Sequence, residues 1–200
     1  MLTDGYHDIP AGKVASIVTH LEMRERVATR PARVPEGLKL EQVTQPAPDW
    51  YRDLFMRIGG LDWLWFSRLG LDDAALGEIL DDPQVELYAL MRDGTAHGMV
   101  ELDFRQPDEC ELAFFGVTSE LIGQGAGRYM MNHAITTAFA RPISRFHVHT
   151  CTLDAPQALG FYQNCGFVAY RQQVEIANDP RLNGQLPLDA GAHVPIYPLP

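Results

Sequence analysis

Hydrophobic and polar positions along the chain switch between a two-residue period and a helical period, and the switches mark out its elements. Leu38 to Val43 alternates as a half-buried strand does. Pro48 to Ile58 places Tyr51, Leu54, Phe55 and Ile58 at helical spacing, and Gly59-Gly60 is expected to break that helix. Asp72 to Leu80 predicts a short helix, with an aspartate near its start and Pro83 past its end. Val85 to Leu90 and Gly98 to Phe104 predict two strands joined through Asp93-Gly94, a hairpin signal. Cys110 to Val117 predicts a further strand. Ala126 to Ala140 predicts an amphipathic helix that Pro142 ends. A strand from Ile143 to Cys151, a helix from Ala155 to Asn164 and a strand from Phe167 to Ile176 complete the pattern. The order implies an α/β (α+β) domain with a mixed, mostly antiparallel central sheet, flanked by helices, with at least one crossover helix.

The ends of the chain pattern differently. Residues 1–36 read as an N-terminal extension and linker. Within it Val14 to Val18 suits a short strand or helix, and Arg30 to Gly37 reads as extended because each proline biases its predecessor away from helix. Residues 37–178 carry the domain. Residues 179–200 are rich in proline and glycine and are expected to lie extended on the surface.

Composition narrows the function classes. With 46% hydrophobic and 21% charged residues, the 200-residue chain suits one globular domain with its own core. The net charge of −10 argues against nucleic-acid binding, which needs a basic face, and is compatible with a cationic acceptor such as an amine. Cys110, Cys151 and Cys165 follow no zinc or redox spacing, so a reducing, cytoplasmic setting is the simplest reading. No stretch has the succession of a signal peptide or the length to span a bilayer, and no membrane partner is expected. A homodimer is compatible with the sequence.

The segment Val117 to Arg128 runs from a strand through Gly123, Gln124, Gly125, Ala126 and Gly127 into a helix. A helix start offers unpaired N–H groups and a positive dipole end, and glycines let an anion approach them, so this arrangement suits a phosphate cradle. It lacks the Gly-Lys-Ser/Thr ending of a P-loop, and its G-x-G-x-G spacing differs from the Rossmann G-x-G-x-x-G. A tight turn alone is the plainer reading of such glycines.

Gly125 and Gly127 stand at the two small positions of a motif that resembles the Q/R-x-x-G-x-G/A coenzyme A motif of the GNAT acetyltransferases. Ala158 to Phe167 is similar to that family's second signature, A-x-x-x-Y-x-x-x-G-F, and Leu38 to Ile176 follows its element order. Ile122 departs from the family, standing where Gln or Arg is usual, and Arg128 is the cation that could replace it. Ala155 replaces an asparagine often found early in the second helix, and Asp154 is expected to cap that helix instead.

The resemblance implies acetyl-CoA as co-substrate, no metal, and direct transfer of an acetyl group to a primary amine of a small molecule or peptide. It implies that Phe115, Gly116 and Val117 hold the pantetheine arm and polarise the thioester carbonyl. Residues 123–128 would hold the pyrophosphate. Tyr162 matches the family's general acid for the departing sulfur. Glu111 stands where the histone-acetylating branch has its base, and its apolar neighbours are expected to raise its pKa toward the working pH. Trp63 and Trp65 fall on the acceptor side, as wall or as core. His147, His149 and Cys151 share one strand face; a metal there would need ligands from elsewhere, so they are expected to line the cleft floor or to pack beneath a helix. Two other readings stand beside the enzyme: a non-catalytic acyl-CoA-binding or sensor module on the same scaffold, and a nucleotide-binding α/β protein.

Overall fold

A computed structural model describes residues 3–33 and 36–198. Val34 and Pro35, part of the expected linker, lie outside the described residues. Seven strands form one sheet: β1 (Lys13–Met23), β2 (Lys39–Val43), β3 (Val85–Arg92), β4 (Thr95–Asp103), β5 (Glu109–Val117), β6 (Arg145–Cys151) and β7 (Val168–Asn178). Their spatial order is β2-β3-β4-β5-β6-β1-β7. The β5–β6 pair is parallel and the other neighbours are antiparallel.

The helices cover opposite faces. Helix α4 (Ala126–Ala138) makes the crossover between β5 and β6, burying Met130, Met131, Ala134, Ile135 and Ala138 against Leu21, Leu102, Leu112 and Phe146. On the other face α1 (Pro48–Phe55) and α3 (Asp73–Leu80) bury Tyr51, Leu54, Phe55, Leu76 and Leu80 against Leu87, Ala89 and Met99. Asp72 caps α3 by accepting from the Ala75 amide at 2.8 Å. Asp93 and Gly94 both have positive φ, 49° and 78°, as the two-residue hairpin between β3 and β4 requires.

Three expectations are corrected. Gly59-Gly60 does not break the first helix. The chain continues through a π-helical turn, Met56–Gly60, into the one-turn α2 (Leu61–Trp63). The indole of Trp65 lies against Gly59, where a Cβ would stand 2.0 Å from Trp65 Cδ2. Glycine there admits a ring rather than ending a helix.

Residues 13–23, expected within an N-terminal extension as a short strand or helix, are a strand of the central sheet. Strand β1 is inserted between β6 and β7, pairing with both, and it sends Leu21 and Met23 into the core under α4.

Residues 179–194 of the tail fold back in turns on the domain instead of lying extended. Asp179 and Arg181 form an ion pair at 2.7 Å with both side chains 1% exposed. Arg181 also donates to the carbonyls of Ala190 and Val194. Leu186 and Ala190 pack on Leu64 in a small third core. No sequence period announces this, because the tail is held by side chain-to-carbonyl bonds rather than by a repeating ladder.

Candidate active site

The sheet itself opens the site. The ladder between β5 and β6 ends at Glu111↔His147, and beyond it the two strands part. A bulge at Ala113 bends β5 at that point, since Glu101 faces Phe114 while Leu102 faces Leu112. The edge of β5 that faces the gap therefore has no strand partner from Leu112 onward. A cavity of about 470 Å³ fills the gap. Leu112 to Val117 form one wall and Val148, His149 and Cys151 the other.

One end of the cavity is the glycine turn. Gly123 and Gly125 have φ of 80° and 85°, a region that side chains with a Cβ avoid. Gly125 leads directly into α4 without a side-chain cap. The first intrahelical bond is Tyr129 N–H to Gly125 C=O at 3.1 Å, so the N–H groups of Ala126, Gly127 and Arg128 precede it. A Cβ built on Gly123 or Gly125 would meet nothing within 4 Å, and one on Gly127 would meet only Phe161, at 3.7 Å. Space is thus open beside the turn, and Arg128 lines the cavity next to it. Such a turn, continuing into a narrow and largely apolar cleft, fits a phosphorylated ligand with a long arm.

The other end is aromatic. Trp63, Trp65 and Phe66 line it, while Phe161, beside Gly127, and Tyr162 line the cavity from α5 (Ala158–Asn164). Trp65 Nε1–H donates to Asp154 Oδ1 at 2.9 Å, and its ring packs on Phe55 and Phe114. Trp63 meets His193 of the tail edge-on, with centroids 5.5 Å apart. Phe115 stacks on Phe161, and Tyr162 stands edge-on to both. Burial pushes the Tyr162 phenol well up, which keeps it protonated.

Most of the expected site residues meet here: Phe115, Gly116, Val117, Gly123, Gly125, Gly127, Arg128, Tyr162, Trp63 and Trp65 all line the cavity. Gly116 has a second reason to be glycine, because a Cβ would lie 2.5 Å from Ile58 Cγ2. Three residues stand elsewhere. Gln124 folds back to donate to the Glu120 carbonyl at 2.6 Å. The Ala126 side chain is fully buried in the core, leaving only its amide at the turn. Glu111 does not line the cavity; its carboxylate lies 3.3 Å from His149 Nδ1.

That contact reverses the expected titration. The hydrogen bond from His149 holds the Glu111 carboxyl below its usual range, outweighing the burial that was expected to raise it. Asp154 does not cap α5, which starts later, at Ala158. It accepts from Thr150 Oγ1 at 2.7 Å and from the Cys151 amide at 2.8 Å, besides Trp65. Two other carboxylates near the gap are engaged: Glu101 is fully buried between Tyr51 and Arg68, and Asp103 is bound by Arg105. Burial raises the Cys151 thiol, which disfavours a thiolate nucleophile. His149 and Cys151 line the cavity, as their shared face suggested, whereas His147 turns to Glu109 at 3.4 Å. Glu175, on the far strand β7, also reaches the rim, a placement that only the position of β1 in the sheet explains.

Among the described residues no helix is long and apolar enough to cross a membrane. No curated protein sequence matches the chain. Solved structures do. A GCN5-related N-acetyltransferase from Sphaerobacter thermophilus superposes with a TM-score of 0.63 at 12% identity, over 92% of this chain and 54% of its own. An aminoglycoside acetyltransferase from an uncultured soil metagenomic sample gives 0.58 at 15%, over 72% of this chain and 96% of its own. A conserved protein of unknown function from Staphylococcus epidermidis gives 0.53 at 15%, over 84% of this chain and 63% of its own. The chain therefore spans less than two thirds of the first and third of these relatives, and at such identities the likeness concerns the fold. Residues 48–167 match the model of the acetyltransferase (GNAT) family, with the splayed strands and the glycine turn inside that span, and the chain belongs to this family.

Proposed function

We propose that the protein moves an acetyl group from acetyl-CoA directly to a primary amine of a small molecule or peptide, with both substrates bound at once. The observation that carries this reading is the shape of the cavity. A single gap between β5 and β6 joins an anion cradle at one end to an aromatic pocket at the other, with a phenol and a carboxylate–imidazole pair beside it.

Acetyl-CoA supplies an acyl carbon activated by a thiolate leaving group. The amides of Gly127 and Arg128, with the Arg128 guanidinium, hold the pyrophosphate. The unpartnered edge of β5 around Phe115 to Val117 receives the pantetheine arm and polarises the thioester carbonyl. Trp63 and Trp65 hold the acceptor. The amine nitrogen forms its bond to the acyl carbon as the carbon–sulfur bond breaks. One amine proton leaves toward the Glu111–His149 side, and Tyr162 gives its phenolic proton to the sulfur. Exchange with solvent then restores both groups.

Thiol release from acetyl-CoA, scored across a panel of primary amines, tests the proposal. The wild type should release thiol with at least one amine. Tyr162→Phe should lower kcat by about 10²–10⁴-fold, the range of general acid–base catalysis, with little change in acetyl-CoA affinity or Tm. A wild type that binds acetyl-CoA and releases no thiol with any amine would be a binding module instead.

A further inference from the structure

We infer that His149, rather than Glu111, is the group that takes the proton from the acceptor amine, and that Glu111 acts as its positioning residue. The inference rests on the acetyl-transfer reading above and sharpens it.

The argument is one of place. Glu111 sits on the last rung that joins β5 to β6, where it is paired with His147. His149 stands two residues further along β6, on the same face but past the point where the strands part. Its side chain is half exposed and lines the cavity; that of Glu111 does not line it. The 3.3 Å contact with Glu111 uses Nδ1 and leaves Nε2 outside that pair. A carboxylate on Nδ1–H fixes the tautomer whose Nε2 carries the lone pair, and stabilises the imidazolium that forms when Nε2 accepts a proton.

The surrounding charges point the same way. His149 faces Glu111 on β5, His20 on β1, Glu175 on β7, Asp154 in the loop after β6, and His147 on its own strand. The Glu111 carboxylate beside it raises His149 above the ordinary histidine value. His20, whose ring centroid is 5.8 Å away, is held below that value, by burial first and by His149 second. The neighbouring imidazole therefore stays neutral and does not compete for the proton. A carboxylate pushed below its usual range is a poor base at neutral pH, whereas an imidazole raised above 6.5 is closer to the amine it must deprotonate. In the step itself, Nε2 takes the proton as the nitrogen–carbon bond forms, and the imidazolium later loses it to solvent.

The test compares His149→Gln and Glu111→Gln in the full chain. It measures thiol release from acetyl-CoA over pH 5–10 on the order of half-unit steps, with the best of benzylamine, phenethylamine and putrescine. His149→Gln should lower kcat by about 10²–10³-fold at neutral pH, with the loss shrinking at high pH where free amine is abundant. Glu111→Gln should cost about 10-fold and move the acidic limb of the profile to lower pH, because the histidine loses the partner that raises it. Histidine side-chain NMR should show one raised resonance that His149→Gln removes and Glu111→Gln lowers. A His149→Gln enzyme with near-full activity and an intact acidic limb overturns the assignment, as does a histidine pKa unmoved by Glu111→Gln. A wild type without thiol release defeats the acetyl-transfer reading instead, so the two failures are told apart.

Discussion

The two ends of the cavity are built in opposite ways. The cradle end is one continuous piece of chain: a strand end, a glycine turn and the first turn of α4, all within Val117 to Arg128. The groups it presents are the amides at the start of α4 and the Arg128 side chain, and local conformation places the amides. The acceptor end is gathered from five places. Trp63 ends α2 and Trp65 lies just after it, Asp154 follows β6, His149 lies on β6, Glu175 on β7, and the tail braces the loop from behind. Leu64 sits there with a φ of 55° and is buried against Gly191, while the Gly191 amide donates to the Leu61 carbonyl at 2.8 Å. The difference teaches that a phosphate can be met by a short stretch whose dipoles add up, whereas an amine pocket needs side chains that only a complete fold brings together.

Breaking the brace should have the largest effect and should fall on one end only. Arg181→Leu leaves the Asp179 carboxylate buried without its partner, at a cost of about 3–5 kcal/mol in urea unfolding. In the variant that still folds at low temperature, the acceptor KM should rise and acetyl-CoA affinity should hold. The pH dependence has a definite sign. Arg181 keeps the Asp179 carboxyl below its usual value, so its stabilisation is fully present above the ordinary carboxylate range and is lost as pH falls through the lowered value. The stability gap between wild type and Arg181→Leu should therefore narrow in acid. A gap that widens there would mean the pair is not what holds the tail.

Filling the cradle should act on the other end. Gly127→Val should weaken acetyl-CoA binding by about 10²-fold, as expected from losing two hydrogen bonds to a charged group. Its stability should be nearly unchanged, because valine is the better helix former and the nearest contact is an ordinary 3.7 Å. Gly125→Val is the poorer probe: at a φ of 85° it strains the backbone by about 1–2 kcal/mol whatever binds. Isothermal titration with acetyl-CoA decides, and full affinity in a folded Gly127→Val would remove the cradle.

The two tryptophans divide core from wall, at smaller magnitude. Trp65→Phe loses the bond to Asp154 and should cost about 1–2 kcal/mol of stability along with a higher acceptor KM. Trp63→Leu, half-buried against His193, should raise acceptor KM by about 3–10-fold and change stability by no more than about 0.5 kcal/mol. Equal losses of stability in both would show the acceptor wall to be core throughout.

Read from the sequence alone, the cradle was nearly complete and the acceptor end was not. Positive φ at Gly123 and Gly125 and free amides at the start of α4 follow from the residues themselves, so the turn was legible without its surroundings. So were six of the seven strands and the hairpin at Asp93-Gly94, because period and turn chemistry are local. Three outcomes were not local. The Gly59-Gly60 pair reads as a helix stop until the Trp65 ring is seen lying on it. Val14 to Val18 fits either period, and only a vacant edge between β6 and β7 made it a strand. The carboxyl of Glu111 was expected to rise among apolar neighbours on its own strand, and it falls because His149 approaches from the next strand. Dihedral preference and hydrophobic period are properties of neighbouring residues, and the sequence states them. Electrostatic partners and ring-to-backbone contacts are properties of space, and they were decided when the sheet closed around β1 and the tail folded back under Leu64.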